Sequence, residues 1–208
     1  MELEFRVELK ANYPEDYKRK ELVIGVYNTN LLDEEGEYQK IGQVNGWYYD
    51  VLAFSEDIHK LSSKRVPKNA VMEMILYADE MDGDGFEILE AVTDEDIIKS
   101  DFKSGLHNFI NIDRLYILKQ YRNKGYATQI LKTLTDDEFI SGVLRLEPAH
   151  TIFGLMANPF ELEKEEPNLD LSPENMDFLG DEDKKRLIDF YINNGFEQTK
   201  LNQDILYM

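Results

Sequence analysis

The chemically most informative segment runs from residue 113 to residue 128, where an apolar stretch gives way to a short basic loop and then to a helical pattern. Arg122, Gly125 and Ala127 follow the apolar stretch in the order Arg-x-x-Gly-x-Ala. Small residues at a helix start leave consecutive backbone N–H groups uncovered, and the helix dipole adds attraction for negative charge. The sequence therefore predicts an anion site here, and a phosphate is its typical occupant.

The charge of this segment contrasts with that of the whole chain. Residues 112–132 hold five basic side chains and one acidic one, a net charge of +4, whereas 23 basic and 42 acidic residues give the 208-residue chain a net charge of −19. The basic residues are Arg114, Lys119, Arg122, Lys124 and Lys132. A positive island beside uncovered amides favours an anionic cofactor. The alternative is an ordinary solvated helix start, because glycine and basic residues are common there.

A second informative segment, Phe190-Tyr191-Ile192-Asn193-Asn194-Gly195-Phe196, lies at the end of the last predicted helix. A tyrosine hydroxyl, with a reference pKa of about 10, stays protonated at neutral pH and can act as a general acid. Tyr191 is therefore a candidate proton donor. The alternative is that it only packs, because Leu187, Ile188 and Tyr191 also fit one buried helical face.

Together the two segments resemble the GNAT superfamily of N-acetyltransferases. In that family an Arg/Gln-x-x-Gly-x-Gly/Ala loop holds the pyrophosphate of coenzyme A, and an aromatic-Tyr-x-x-x-Gly-Phe segment places a tyrosine near the thiol. The specific resemblance covers about 108–147 and 183–208, and the first hundred residues match only in general layout.

The resemblance implies an α/β (α+β) domain of GNAT fold, with a central mixed, mostly antiparallel sheet flanked by helices and splayed between its two central strands. It implies transfer of an acetyl group from acetyl-CoA to a primary amine, on a small molecule or a protein, by direct attack. The implied cofactor-binding residues are Leu115, Tyr116, Ile117 and Leu118 on the strand edge, and Arg122, Asn123, Lys124, Gly125, Tyr126, Ala127 and Thr128 in the loop. The alternative is a non-catalytic GNAT-fold module that binds acyl-CoA or a protein partner.

The resemblance assigns the catalytic roles less completely than the cofactor-binding ones. Tyr191 would protonate the departing thiolate, and a backbone N–H near Ile117 would hold the oxyanion. Where the family often has a strand glutamate, this chain offers Asp113 as a candidate base, or as an ion-pair partner of Arg114. Two further alternatives stay open: a base that acts through a water molecule, and a reaction without a base. The asparagine often found seven or eight residues before the tyrosine is replaced by Asp183 or Lys184.

The elements that must position these residues follow from local patterns. Apolar alternation and short apolar runs predict strands at 2–10, 21–30, 38–54, 109–118, 141–147, 196–200 and 204–208. Helices are expected at 125–139, from about Asp181 to Gly195, and in two stretches after Ser55 and Pro67.

We expect one domain over residues 1–208 with an acidic insertion at about 149–180. Residues 149–183 hold ten acidic residues, one lysine and three prolines. This stretch could overhang the acceptor side and attract a cationic amine, or form a solvated loop.

Composition excludes several classes of protein. The absence of cysteine excludes disulfides and thiolate chemistry, and His59, His107 and His150 lack ligand-like spacing, so no metal site is predicted. The net charge of −19 disfavours nucleic-acid binding; a DNA-mimicking inhibitor would not need the positive island. No apolar run approaches the roughly 20 residues that span a bilayer, so no membrane association and a cytoplasmic location are expected. The sequence leaves open whether the chain forms a homodimer.

Overall fold

The computed structural model of this chain describes residues 2–10, 19–50, 108–162, 171, 175–200 and 202–208. The helices predicted after Ser55 and Pro67 lie outside the described residues, as do residues 163–170 and 172–174 of the predicted acidic insertion. In the described part of the chain, no helix is long and apolar enough to cross a membrane.

A seven-stranded sheet is the main element of the described residues, in the spatial order β1-β2-β3-β4-β5-β9-β8. Its strands are β1 (Leu3–Lys10), β2 (Arg19–Leu32), β3 (Tyr38–Asp50), β4 (Asn108–Ile117), β5 (Thr151–Met156), β8 (Glu197–Gln198) and β9 (Ile205–Tyr207). All neighbours are antiparallel except β4 and β5, which run parallel. The prediction of an α+β domain with a mixed, mostly antiparallel sheet is confirmed.

A second, two-stranded sheet consists of β6 (Phe160–Leu162) and β7 (Met176–Phe178), which pair antiparallel. Both strands fall within the stretch predicted as an acidic insertion. Leu162 and Met176 lie opposite each other in the register of the two strands, and both side chains are buried. The hairpin therefore anchors this stretch to the hydrophobic core.

Helix α1 (Tyr126–Leu134) buries one face against the sheet. Ile130, Leu131 and Leu134 are almost completely inaccessible, as their helical spacing predicts. The helix is shorter than the predicted 125–139, because Asp136 starts a new turn by accepting hydrogen bonds from the backbone N–H groups of Glu138 and Phe139. That turn is α2 (Asp137–Phe139).

The strand predicted at 141–147 is wrong. Residues Ile140–Leu144 form a π-helical turn in which Ile140 and Leu144 are buried while Val143 is 48% exposed. A spacing of four between buried residues is helical, and three apolar residues in this short run were too few to distinguish the two periods. The strand that lies beside β4 is instead β5, ten residues further on.

The acidic stretch contributes a strand to the main sheet. β5 falls inside the region predicted as a surface excursion, yet Phe153 and Leu155 are buried in the middle of the main sheet. Strand β5 is therefore part of the main sheet and not a surface excursion. The last helix, α3 (Asp181–Asn193), is confirmed, and Gly195 follows it with a left-handed φ of 97°.

Strand β4 carries an extra residue at Asp113, because the register with β3 shifts between Asn45 and Gly46. Such a bulge turns the strand and re-aims the side chains that follow it. The two backbones come close together beside the bulge: a Cβ on Gly46 would lie 2.1 Å from the carbonyl oxygen of Asn111. The approach of β3 to β4 therefore requires glycine at position 46.

We predict that Gly46→Ala destabilises the fold by about 1–3 kcal/mol or more, because the methyl group would force two strand backbones apart. Gly142→Ala is the control, because an added Cβ there meets nothing within 4 Å. Urea denaturation of both variants measures the difference. Equal stability of the two variants would contradict the close approach.

Candidate functional site

A cavity of about 360 Å³ lies between the second half of β4, the loop that follows it, helix α1 and helix α3. Ten of the residues singled out from the sequence line it: Leu115, Tyr116, Ile117, Arg122, Asn123, Gly125, Tyr126, Ala127, Thr128 and Tyr191. The two sequence segments, which are far apart in the chain, therefore meet at one cavity. We call it the first cavity.

Four lining residues were not predicted as site residues: Tyr121, Phe160, Leu187 and Phe190. Leu187 lies one helical turn before Tyr191, so its position on the same face of α3 could have been used to place it in the cavity. Phe160 stacks on Tyr116 with ring centroids 5.6 Å apart. No local pattern connects Phe160 with β4, because it belongs to the stretch read as an insertion.

In the described residues, β4 is paired with β3 and β5 over its first half and with β3 alone further on. Its parallel pairing with β5 ends at Ile112, opposite Leu155, whereas its antiparallel pairing with β3 continues to Ile117, opposite Gly42. The strand therefore extends past the described ladder with β5, and the first cavity lies beside this extension. Leu118 does not line the cavity, and its backbone N–H donates to the carbonyl of Ile41 at 3.0 Å.

The loop between β4 and α1 adopts two left-handed residues, Asn123 with φ of 58° and Gly125 with φ of 80°. No side chain caps the start of α1. Among the described residues, no backbone carbonyl accepts a hydrogen bond from the N–H groups of residues 123–128. The N–H of Arg122 is the exception within the predicted cradle, because it donates to the carbonyl of Lys119 at 3.2 Å. Backbone N–H groups of this kind form a nest for an anion.

Helix α1 is fixed to the sheet at its first residue. Tyr126 is buried, and its hydroxyl accepts a hydrogen bond from the side-chain amide of Asn28 at 3.0 Å. The bond connects the end of the loop with β2, across the sheet from β4. The direction of the first turn of α1 is therefore set by a buried polar contact as well as by packing.

Three contacts with described residues hold the side chain of Arg122. Its Nε donates to the carbonyl oxygen of Ile117 at 2.8 Å, its guanidinium lies 4.7 Å from the ring centroid of Tyr116, and its Nη1 forms an ion pair with Glu161. Lys119 also approaches Glu161, at 3.6 Å. Glu161 thus supplies negative charge beside the predicted anion site, and sequence reasoning missed it because nothing local relates β6 to the loop.

The environment of Glu161 acts on its pKa in two directions. Partial burial raises it, while the hydrogen bond and charge of Arg122, the charge of Lys119 and the Tyr116 hydroxyl at 3.4 Å lower it. The net effect lowers the pKa below its ordinary value, so the carboxylate is charged at neutral pH. Lys124, another predicted cation, lies outside the cavity lining and donates to the carbonyl of Gln120 at 2.9 Å.

Tyr191 lies on α3 between two aromatic rings. Its ring centroid is 5.4 Å from that of Phe190 and 5.6 Å from that of Phe196. Burial raises the pKa of its hydroxyl well above the ordinary value, and no described residue hydrogen-bonds that hydroxyl. Tyr191 is therefore a neutral donor at physiological pH, positioned by packing on a cavity wall.

Asp113 lies in a different place from the other predicted site residues. It forms an ion pair with Arg114 at 2.9 Å and lines a second, smaller cavity of about 70 Å³ beside the first. Phe160 belongs to the walls of both cavities. The structure thus brings Tyr191 and the loop together in the first cavity, whereas Asp113 lines only the second.

No family model, curated protein or solved structure matches this chain. In the described ranges, no group of three or more histidine, aspartate and glutamate side chains could hold a metal ion. Any function is therefore inferred from the site itself.

We predict that Glu161→Gln makes unfolding less dependent on pH in acid. Because the folded pKa of Glu161 is lowered, its charged form stabilises the fold above about pH 5, and this contribution is lost as the pH falls through the folded value. The stability difference between wild type and variant should therefore shrink between about pH 6 and pH 3. Urea denaturation across this range measures it, with the exposed Glu138→Gln as control. A difference that is constant or grows in acid would contradict the ion pair.

Proposed function

We propose that this chain is an N-acetyltransferase of GNAT type, which transfers an acetyl group from acetyl-CoA to a primary amine. One observation carries the proposal: the loop residues around Gly125, whose backbone N–H groups have no described backbone acceptor, and Tyr191 line the same cavity. An anion nest and a neutral proton donor in one cavity are what acyl transfer from a diphosphate-linked thioester requires.

In this proposal the loop and the edge of β4 bind the cofactor. The N–H groups of residues 123–128 would hold the pyrophosphate, with Lys119 and Lys124 near it. The backbone of Leu115, Tyr116 and Ile117 would hydrogen-bond the pantetheine arm as an added strand, beyond the end of the β5 ladder. A volume of about 360 Å³ suits that arm and the acetyl group, so the nucleotide would lie outside the cavity.

The reaction balances without a covalent enzyme intermediate. The neutral amine nitrogen attacks the thioester carbonyl carbon, and a β4 backbone N–H near Ile117 stabilises the resulting oxyanion. The carbon–sulfur bond then breaks, and the thiolate takes a proton from the Tyr191 hydroxyl. The proton released by the amine passes to water or to a base, and Tyr191 is reprotonated from solvent.

The linings of the two cavities bear on which group accepts the proton of the amine. Asp113 stays a candidate, but it lines the second cavity and not the first, which favours a role through water rather than direct contact with an amine in the first cavity. The first cavity's own lining contains no aspartate, glutamate or histidine among the described residues. That observation favours the second candidate function, a non-catalytic module that binds acyl-CoA.

We predict that acetyl-CoA stabilises the protein and that Gly125→Ala abolishes this effect. Ligand at about 100 times its Kd should add roughly 2.7 kcal/mol to the free energy of unfolding. Alanine at position 125 would place a methyl group in open space before the amides and strain a backbone with φ of 80°. Thermal unfolding with and without acetyl-CoA measures both effects.

Gly36→Ala is the matched control for this experiment. Gly36 has φ of 83°, and its added Cβ also meets nothing within 4 Å, but it lies in an exposed turn between β2 and β3. Each variant should lose about 1–2 kcal/mol from backbone strain. Only the Gly125 variant should lose the acetyl-CoA shift; absence of a shift in the wild type would reject both candidate functions.

We predict that Tyr191→Phe lowers kcat by about 10²–10⁴-fold, the usual contribution of a positioned general acid, with little change in the KM for acetyl-CoA. Tyr207→Phe is the control, because Tyr207 bonds Glu197 in the last strands of the sheet. A mass-spectrometric screen of amines provides the acceptor for the assay. Binding of acetyl-CoA without any acetylated product, from wild type or variant, would favour the non-catalytic module.

A further inference from the structure

Strand β1 forms one edge of the main sheet in the part of the chain that the structure describes. It pairs with β2 over eight residues without a register shift, and no described strand lies on its other side. Proteins usually protect such an edge with a bulge, a proline, a very short strand or charged side chains. Residues 3–10 contain no proline. Within the described residues, the charged side chains of β1 are therefore its protection against pairing with another strand.

The backbone groups of β1 that point away from β2 belong to its odd-numbered residues. Thr29 donates its backbone N–H to the carbonyl of Glu2 at 3.3 Å, so Glu2 directs its backbone groups toward β2. Because this direction alternates along an antiparallel strand, the even-numbered residues bond β2 and the residues between them point outward. The outward-facing residues are Leu3, Phe5, Val7 and Leu9.

The even-numbered side chains of β1 alternate in charge. Glu4, Arg6, Glu8 and Lys10 sum to zero, in a chain with a net charge of −19. Arg6 lies 2.6 Å from Glu4 and 3.5 Å from Glu37, and Lys10 lies 3.0 Å from Glu8. These ion pairs are exposed and contribute little to stability, so a second strand can share the same charges.

We propose that two copies of this chain associate by antiparallel pairing of their β1 strands, with Val7 opposite the partner's Val7. The outward backbone groups can bond only when odd-numbered residues lie opposite each other. The longest registers of this kind are centred on Arg6 and on Val7. In the first, Arg6 faces the partner's Arg6 and Glu4 faces the partner's Glu8. In the second, Glu4 faces the partner's Lys10, and Arg6 faces the partner's Glu8. Opposite charges across an antiparallel pair stabilise it, and like charges destabilise it, so the charges select the register centred on Val7.

The same register covers apolar surface on the other face of β1. Phe5 and Val7 pack against the core, and the ring centroid of Phe5 lies 5.6 Å from that of Phe139. Leu9, in contrast, is 41% exposed. With Val7 at the centre, Leu9 lies opposite the partner's Phe5, which is close enough for the two side chains to pack together. The pairing would join two seven-stranded sheets into one. It is independent of the proposed acetyl transfer, because β2 and β3 separate β1 from the strand that lines the first cavity.

Sedimentation equilibrium of the full chain across the micromolar range tests the association. Salt at about 0.15 M screens the repulsion between two acidic chains beyond about 8 Å. We expect a dimer in the wild type, and association about tenfold weaker in Arg6→Glu, which places like charges opposite each other at two symmetric positions. The double variant Arg6→Glu/Glu8→Arg should associate as the wild type does, because opposite charges face each other again. A monomeric wild type, or a double variant as weak as the single one, would overturn the proposal.

A proline on β1 tests the backbone pairing separately from the charges. Leu9→Pro removes an outward N–H that does not bond β2, so the chain should still fold while the dimer is lost. Glu34→Pro is the matched control, because Glu34 is the second residue of the exposed turn in which the N–H of Gly36 donates to the carbonyl of Asp33 at 3.2 Å. Circular dichroism checks that both variants are folded. A dimer that survives both Leu9→Pro and Arg6→Glu would place the contact elsewhere and overturn the proposal.

Zero-length cross-linking by a carbodiimide, which joins an amine to a carboxylate in contact with it, identifies the register. Lys10 and Glu4 are six residues apart in one strand, about 20 Å at 3.4 Å per residue, so a link between them forms only between two chains. In a mixture of unlabelled and ¹⁵N-labelled protein, mass spectrometry should find Lys10 of one isotope joined to Glu4 of the other. Cross-linked dimers without this product would overturn the register centred on Val7.

Discussion

The candidate site lies beside the point at which the pairing of β4 with β5 ends. The two strands pair in parallel only as far as Ile112, while β3 continues alongside β4 to Ile117. A strand held on one side can still offer the backbone groups of its other side to a ligand or to solvent. The bulge at Asp113 and the close backbone approach at Gly46 occur at this same point, so the geometry of the sheet and that of the site have a common origin.

Much of the fold could be predicted because its signals are local. The alternation of Leu3, Phe5 and Val7 specifies β1, and the spacing of Ile130, Leu131 and Leu134 specifies the buried face of α1. The loop could also be predicted, since only glycine readily adopts a φ of 80° at position 125. These features need no information from distant parts of the chain.

The parts that could not be predicted depend on distant contacts. The strand beside β4 was placed at 141–147, but a π-helical turn occupies that region because Ile140 and Leu144 both reach the core. Glu161 could not be predicted as part of the site because its contact with Arg122 is also a distant one. Its sequence neighbours suggest a solvated acidic stretch, and only the tertiary structure places it beside Arg122.

The ion pair of Arg122 with Glu161 has a consequence for any anion that reaches the loop. The guanidinium is already neutralised, so an arriving diphosphate would exchange one negative partner for another instead of filling a bare positive site. Its affinity would then owe more to the fixed direction of the main-chain dipoles than to net charge, and would weaken less steeply with added salt than that of a cluster of unpaired cations. A phosphate bound at this loop would then need no large positive surface on a strongly acidic protein.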